Sequence, residues 1–250
     1  MSGPPDDDGE DPADLSPVSA KWARSLQAIR EAPVSERRAA LRRLADAIRS
    51  ILHRLVQTSA PLPMIHQAVA DLEQLADRFA AHPNASIYEE FAEAANAGEP
   101  FAFFDHSPVQ GRANPLAPPL EFRMEGDEVI AEAVFGAAYE GPPGCVHGGF
   151  VAAAFDELLG STQSLSGAPG MTARLTVNYR SPTPLHTGLR FVGVLDRVDG
   201  RKIYTSGRLY AGEVLCAEAE GLFISVDVGR FAELKAQRGA RLAAPAVDTD

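Results

Sequence analysis

Hydrophobic positions recur with two different periods along this chain, and the change falls near residue 100. Between residues 17 and 97 the period is helical. Leu41, Leu44, Ala45, Ile48, Ile51, Leu52 and Leu55 share one helix face, with arginines opposite. A second helix follows Pro61 and Pro63, and Ile65, Val69, Leu72, Leu75 and Phe79 are expected to face inward. Shorter helical pieces are predicted near residues 22–29 and 87–95, punctuated by Pro33, Pro83 and Gly98. From residue 100 the period drops to two. Residues 128–135 alternate as a half-buried strand, and further strands are predicted near 171–180, 187–198, 201–211 and 214–226. Asp199-Gly200 signals a hairpin turn, and Ala211-Gly212-Glu213 a second one. Between the first strand and the others lies a helix, near residues 148–166. A long apolar helix wrapped by a curved antiparallel sheet fits this order. The expected class is therefore α+β, with an N-terminal helical extension.

That helix carries the chemistry. It opens on Val146-His147-Gly148-Gly149 and runs through Phe150-Val151-Ala152-Ala153-Ala154-Phe155 to Asp156. So small and apolar a helix is expected to be buried, and an unpaired buried charge is costly, so Asp156 needs a reason to be there. Two glycines at a helix start let a ligand approach free backbone N–H groups at the positive end of the helix dipole. The pair reads as an oxyanion site and an acid/base or nucleophile. Nine residues from His147 to Asp156 span about 13 Å along a helix and leave the two half a turn out of phase. Asp156 therefore cannot serve the N–H groups of its own helix start. If the two cooperate, they do so across a two-fold axis between antiparallel helices, which implies a homodimer.

Composition narrows the classes further. The chain has 250 residues, which allows one large domain or one domain with an appendage. The net charge of −11 argues against nucleic acid as a partner. No apolar run approaches the ~18 residues of a membrane span. The acidic start lacks the apolar core of a signal peptide. Cys145 and Cys216 form no disulfide framework and fit a reducing cytoplasm. Charge is uneven: residues 1–16 hold six acids and no base, whereas 17–60 hold nine Lys/Arg against three acids. The first stretch reads as a disordered acidic tail. His53, His66 and His82 lack metal-ligand spacing, so no metal is expected. His106 invites a Ser-His-Asp reading, but no Gly-x-Ser-x-Gly elbow exists.

Two blocks carry a family resemblance: Gly141-Pro142-Pro143-Gly144-Cys145-Val146-His147-Gly148-Gly149 with Asp156, and Met171-Thr172-Ala173-Arg174-Leu175-Thr176-Val177-Asn178-Tyr179-Arg180-Ser181-Pro182-Thr183-Pro184-Leu185. At this spacing they resemble the PaaI-type acyl-CoA thioesterases of the hotdog fold. The resemblance covers roughly residues 100–227 and implies a domain over 98–228; the helical region 17–97 lies outside the family's common core, and a short helix and tail are expected at 229–250. The resemblance also implies an acyl-CoA substrate, no cofactor apart from the substrate's own coenzyme A, and a homodimer that can pair into a dimer of dimers. Asp156 matches the carboxylate that activates water or attacks the thioester. Gly148 matches the oxyanion donor, His147 the histidine that orients the loop, and Thr172 the residue that positions the carboxylate. Gly149, Arg180, Arg201 and Lys202 are candidates for holding the coenzyme A part. Many members carry Asn or Gln where this chain has Gly141, which leaves the second oxyanion donor open. The Gly-Pro-Pro-Gly lead-in looks instead like the THEM-type subgroup. Two rivals are a non-catalytic acyl-CoA sensor and a hotdog dehydratase. The latter places a histidine inside the helix, and residues 150–166 contain none.

Overall fold

A computed structural model of the chain describes residues 34–82, 105–168 and 170–225. The acidic tail, the predicted helices at 22–29 and 87–95, and the C-terminal stretch 229–250 lie outside the described residues. The elements in order are α1 (Glu36–Leu55), α2 (Leu62–Ala80), β1 (Glu121–Glu125), β2 (Glu128–Val134), a 3₁₀ turn (Ala137–Tyr139), α3 (Gly148–Gln163), β3 (Gly170–Tyr179), β4 (Gly188–Asp199), β5 (Lys202–Ala211) and β6 (Val214–Ser225). The strands form one antiparallel sheet in the order β1-β2-β4-β5-β6-β3. The central helix lies across β2 to β6, as the residue pattern predicts.

Strand β1 was not predicted. Three of its five residues are charged, so its alternation reads as polar. Gly126, at φ 55°, turns it into β2.

The core forms where α3 meets the sheet. Phe155, Leu158 and Leu159 are fully buried, with Phe191, Ile203, Leu209 and Phe223 facing them from the strands. The Phe155 and Phe191 rings meet edge to face at 5.5 Å. Gly193 of β4 lies directly opposite Gly207 of β5. A Cβ on Gly207 would come within 3.1 Å of Leu159. The missing side chains let the helix settle close onto the sheet.

The two sheet edges differ. Edge strand β1 is short, and Arg123 pairs with Glu125 and Glu132 while Arg190 also reaches Glu125. Such a charged edge discourages further strand pairing. At the other end, β3 offers ten residues, mostly exposed, with Arg174 its sole charge.

The N-terminal helices correct the sequence reading. Helix α1 buries its apolar stripe only in part: Leu41, Leu44, Ile48 and Leu52 are half-buried, and arginines share the inner face instead of lying opposite it. Its buried residues are Arg38, Ala45 and Arg49, whereas Ile51 and Leu55 are exposed. The reason is the surface it meets, which is rich in acceptors. Arg49 donates to the carbonyls of Ala117 and Asn114, each at 2.8 Å, and Arg38 and Arg42 grip Asp105. Helix α2 does not turn Ile65, Val69, Leu72 and Phe79 inward. All four are exposed.

Candidate active site

The loop between β2 and α3 is held from several sides. Cys145 bridges to Pro184 and Glu140 to Val146. The Val146 N–H donates to Thr183 O at 2.8 Å, and the Leu185 N–H to Gly144 O at 3.0 Å. The His147 N–H donates to Tyr139 O at 2.8 Å. These bonds fix the backbone that enters α3.

His147 is the N-cap of α3, and its Nδ1 accepts the Gly149 N–H at 3.0 Å. A histidine in this place does the work usually done by Ser or Asp. With Nδ1 accepting, the proton of the neutral ring sits on Nε2, which is then a donor. The Phe150 and Val151 N–H groups both reach His147 O. Among the described residues the Gly148 N–H has no acceptor. Of the two glycines, Gly148 is therefore the one whose donor remains for a ligand. Its carbonyl is pinned by the Tyr179 hydroxyl, which donates to it at 2.7 Å. Tyr179 was not singled out from sequence, although it lies within the second motif.

Gly141 bears on the missing Asn or Gln. A Cβ there would lie 2.7 Å from the Cα of His147. A side chain at this position has no room unless the loop shifts. The Nε2–H of His147 is the polar donor that the loop offers beside Gly148.

Asp156 sits two turns along α3, on the same face as Gly149, and both are exposed in the single chain. The expected burial is thus not met within one chain, because no described element covers this face. Ala153 and Gly160 flank Asp156 at helical spacing, so the face is lined by small residues. Thr172 of β3 donates its hydroxyl to Asp156 Oδ1 at 2.9 Å. That bond leaves Oδ2 open. It arises at an irregularity: the β3–β6 register shifts between Thr172 and Arg174. Such a bulge re-aims side chains.

Glu157 points elsewhere. Ser107 Oγ donates to its Oε1 at 2.7 Å and Gln110 Nε2 to its Oε2 at 3.0 Å. Burial pushes its carboxyl above the usual range, the Asp156 charge adds to this, and the Ser107 bond opposes it. Glu157 anchors the 105–111 loop to the helix. The sequence pointed to this loop only through His106, and gave no signal for Ser107 or Gln110.

The basic candidates do not form one cluster. Arg180 follows the end of β3 and pairs with Glu218 at 2.7 Å. Arg201 donates to Ser225 O at 3.1 Å, and Ser225 lies opposite Gly170 at the start of β3. Arg201 and Lys202 thus sit about 30 Å from Arg180, the length of a ten-residue strand.

No family model matches the chain. Among curated proteins, the bovine "Acyl-coenzyme A thioesterase THEM4" is 37% identical over 94 residues, covering 37% of this chain and 38% of the relative. The Xenopus laevis protein of the same name is 36% identical over 93 residues, covering 36% and 42%. The chain thus spans about two-fifths of the length of these curated relatives. A solved structure described as a thioesterase superfamily protein is 33% identical with a TM-score of 0.64, and the match covers 74% of this chain and 90% of that one. Residues 105–225 alone make up about half of the chain, so that likeness extends beyond the sheet and α3.

Proposed function

This chain belongs to the thioesterase superfamily, and from that premise we propose that it hydrolyses an acyl-CoA thioester to the free acid and coenzyme A. The observation that carries the proposal is the Thr172–Asp156 hydrogen bond of 2.9 Å, which aims a helix carboxylate along the face that begins at the His-Gly-Gly turn. The curated relatives named acyl-CoA thioesterases support the choice of substrate.

In the proposed reaction the Gly148 N–H polarises the thioester carbonyl, and that bond strengthens as the oxygen becomes an oxyanion. The Nε2–H of His147 is the second donor. The open oxygen of Asp156 either takes a proton from water, which attacks the carbonyl carbon, or attacks that carbon itself. When water attacks, the C–S bond breaks and the proton that Asp156 took passes to the leaving coenzyme A sulfur; when Asp156 attacks, the thiolate leaves and takes a proton from solvent, and water then hydrolyses the acyl–Asp156 anhydride to the free acid.

One chain does not complete this site. Eight residues separate Gly148 from Asp156, about 12 Å along the helix axis. A carbonyl needs both within about 3 Å of its reacting atoms. An antiparallel copy of α3 brings the partner's carboxylate opposite Gly148. The open edge of β3 and the small-residue face of α3 support pairing on this side, and the dimer is the assembly we propose. Gly149, on the same face, lines the path of the pantetheine arm. Arg180 lies near the α3 start and Arg201 and Lys202 at the far end of β3, so they would serve one coenzyme A only from different subunits. The unpaired Cys145 and Cys216 suit a reducing compartment such as the cytoplasm.

The test is thiol release from short, long and aromatic acyl-CoAs, with oligomeric state measured by sedimentation. Turnover by a dimer or larger even assembly is expected. Tight acyl-CoA binding without turnover on any member of the panel refutes the enzyme and favours a sensor. Thr172→Val removes the carboxylate's partner while keeping the shape. It should lower kcat about tenfold and leave KM nearly unchanged, because orientation is lost but substrate contacts are not. An unchanged kcat would show that Thr172 only fills space.

A further inference from the structure

We infer that helix α1 is part of the catalytic apparatus and that His53 is a positioning residue for the oxyanion turn, an inference that rests on the thioesterase reading above. Position alone does not suggest it, since His53 lies 94 residues before His147. Contacts do. The His53 Nδ1 accepts the Ala138 N–H at 3.1 Å. Its ring meets Tyr139 edge to face at 5.4 Å. Gly136 lies so close that a Cβ there would be 2.7 Å from the His53 ring. His53 therefore fixes the 3₁₀ turn Ala137–Tyr139 through backbone, ring and close contact.

That turn in turn fixes the site. Tyr139 O accepts the His147 N–H at 2.8 Å. The Tyr139 ring meets Phe150, in the first turn of α3, at 4.9 Å. The Tyr139 hydroxyl is itself tied to Leu116 O at 3.1 Å. A tilt of the turn would move His147 and Gly148 together. Displacement of a donor by a fraction of an ångström weakens the transition state more than the ground state.

The other end of α1 supports the same face. Arg42 Nη2 donates to Asp105 Oδ1 at 2.9 Å, and Arg38 reaches the same carboxylate. Two residues on, Ser107 holds Glu157, the neighbour of Asp156. Helix α1 thus braces the start of α3 through His53 and its middle through the 105–111 loop.

The bond to Ala138 requires an unprotonated Nδ1. Burial, then the charges of Arg49 and His186, hold the His53 pKa below its usual 6.5. Arg49 faces it from α1, Tyr139 from the 3₁₀ turn and His186 from the connection before β4. The brace is intact above 6.5 and is lost as pH falls from there through the lower folded value.

The experiment compares His53→Phe, which keeps a ring but has no acceptor, with His53→Asn, whose amide oxygen can take the Ala138 N–H and does not titrate. Steady-state kinetics and amide hydrogen exchange over residues 136–151 are measured on the full-length protein. His53→Phe should lower kcat about tenfold with KM changed by less than about twofold, and exchange should quicken. His53→Asn should stay within about twofold of wild type at neutral pH and lose part of the decline of kcat on the acid side. Wild-type kcat in His53→Phe, or no rescue by His53→Asn, overturns the inference. If wild type turns over no acyl-CoA, the thioesterase reading fails by itself. Exchange then decides the brace: faster in Phe but not in Asn supports it, and equal rates in all three refute it.

Discussion

Asp156→Asn should lower acyl-CoA turnover by roughly 10²–10⁴-fold, the range for losing a general base or nucleophile, while fold and dimer persist. Asparagine keeps the shape, and its oxygen can still accept from Thr172, whose bond to Asp156 is 2.9 Å. What disappears is the negative oxygen. Asp156 is exposed in the single chain, so neutralising it costs the core nothing. Wild-type-like turnover in this variant would sink the mechanism. A single turnover in ¹⁸O water separates its two forms. Label carried into Asp156 marks direct attack, with water opening the anhydride at the Asp156 carbonyl, whereas activated water never labels the enzyme.

The same variant tests whether the site is shared between subunits. Gly148→Pro removes the proposed donor at the first position of a helix, where proline's φ fits, and its Cβ, 3.1 Å from the Tyr179 hydroxyl, requires that side chain to give by a few tenths of an ångström. It too should be nearly inactive as a homodimer. Mixing Asp156→Asn with Gly148→Pro chains should restore activity to about one quarter of wild type. On random exchange half of the dimers are mixed, and each mixed dimer rebuilds one site of its two. No recovery, with exchange of subunits demonstrated, would place both groups in one chain and overturn the two-fold arrangement.

Much of this candidate site was legible in the sequence because it depends on local rules. Gly148, Gly149 and Asp156 announce themselves by being out of place in an apolar helix, and the strand period located β3 to β6 within one or two residues. Thr172 came from the resemblance, not from any period. What escaped has a common physical character. Tyr179, Ser107, Gln110 and His53 act through hydrogen bonds to groups dozens of residues away, and no periodicity encodes such partners. Helix α1 misled for a related reason. Its apolar stripe is real and half-buried, yet the surface it meets also offers carbonyls and one carboxylate, so Arg38 and Arg49 share the inner face with Ala45. Hydrophobic patterning tells which face would leave water, and a polar docking surface can outbid it.

That mixed face yields the last large effect. Asp105→Ala should lower stability by about 3 kcal/mol, because breaking a buried ion pair costs far more than an exposed one is worth. The side chain of Asp105 is 7% exposed and that of Arg38 is 8% exposed, so water cannot replace the lost carboxylate well. For a chain of this size that loss corresponds to a Tm about 6–12 °C lower. The acid dependence has a definite sign. Burial alone would push the Asp105 carboxyl up, but hydrogen bonds and charge from Arg42 and Arg38 together outweigh it and hold the pKa below 3.8. A carboxyl depressed in the folded state binds its proton more readily when unfolded. Its stabilisation is therefore complete above 3.8 and disappears as pH falls through the lower folded value. Asp105→Asn should accordingly be less stable than wild type at pH 7 but lose less on acidification, so their melting curves converge at low pH. Parallel curves would mean that the carboxylate is not what couples α1 to the 105–111 loop. Because that loop holds Glu157, the same variant should also quicken amide exchange around Asp156, at the opposite end of the brace from His53.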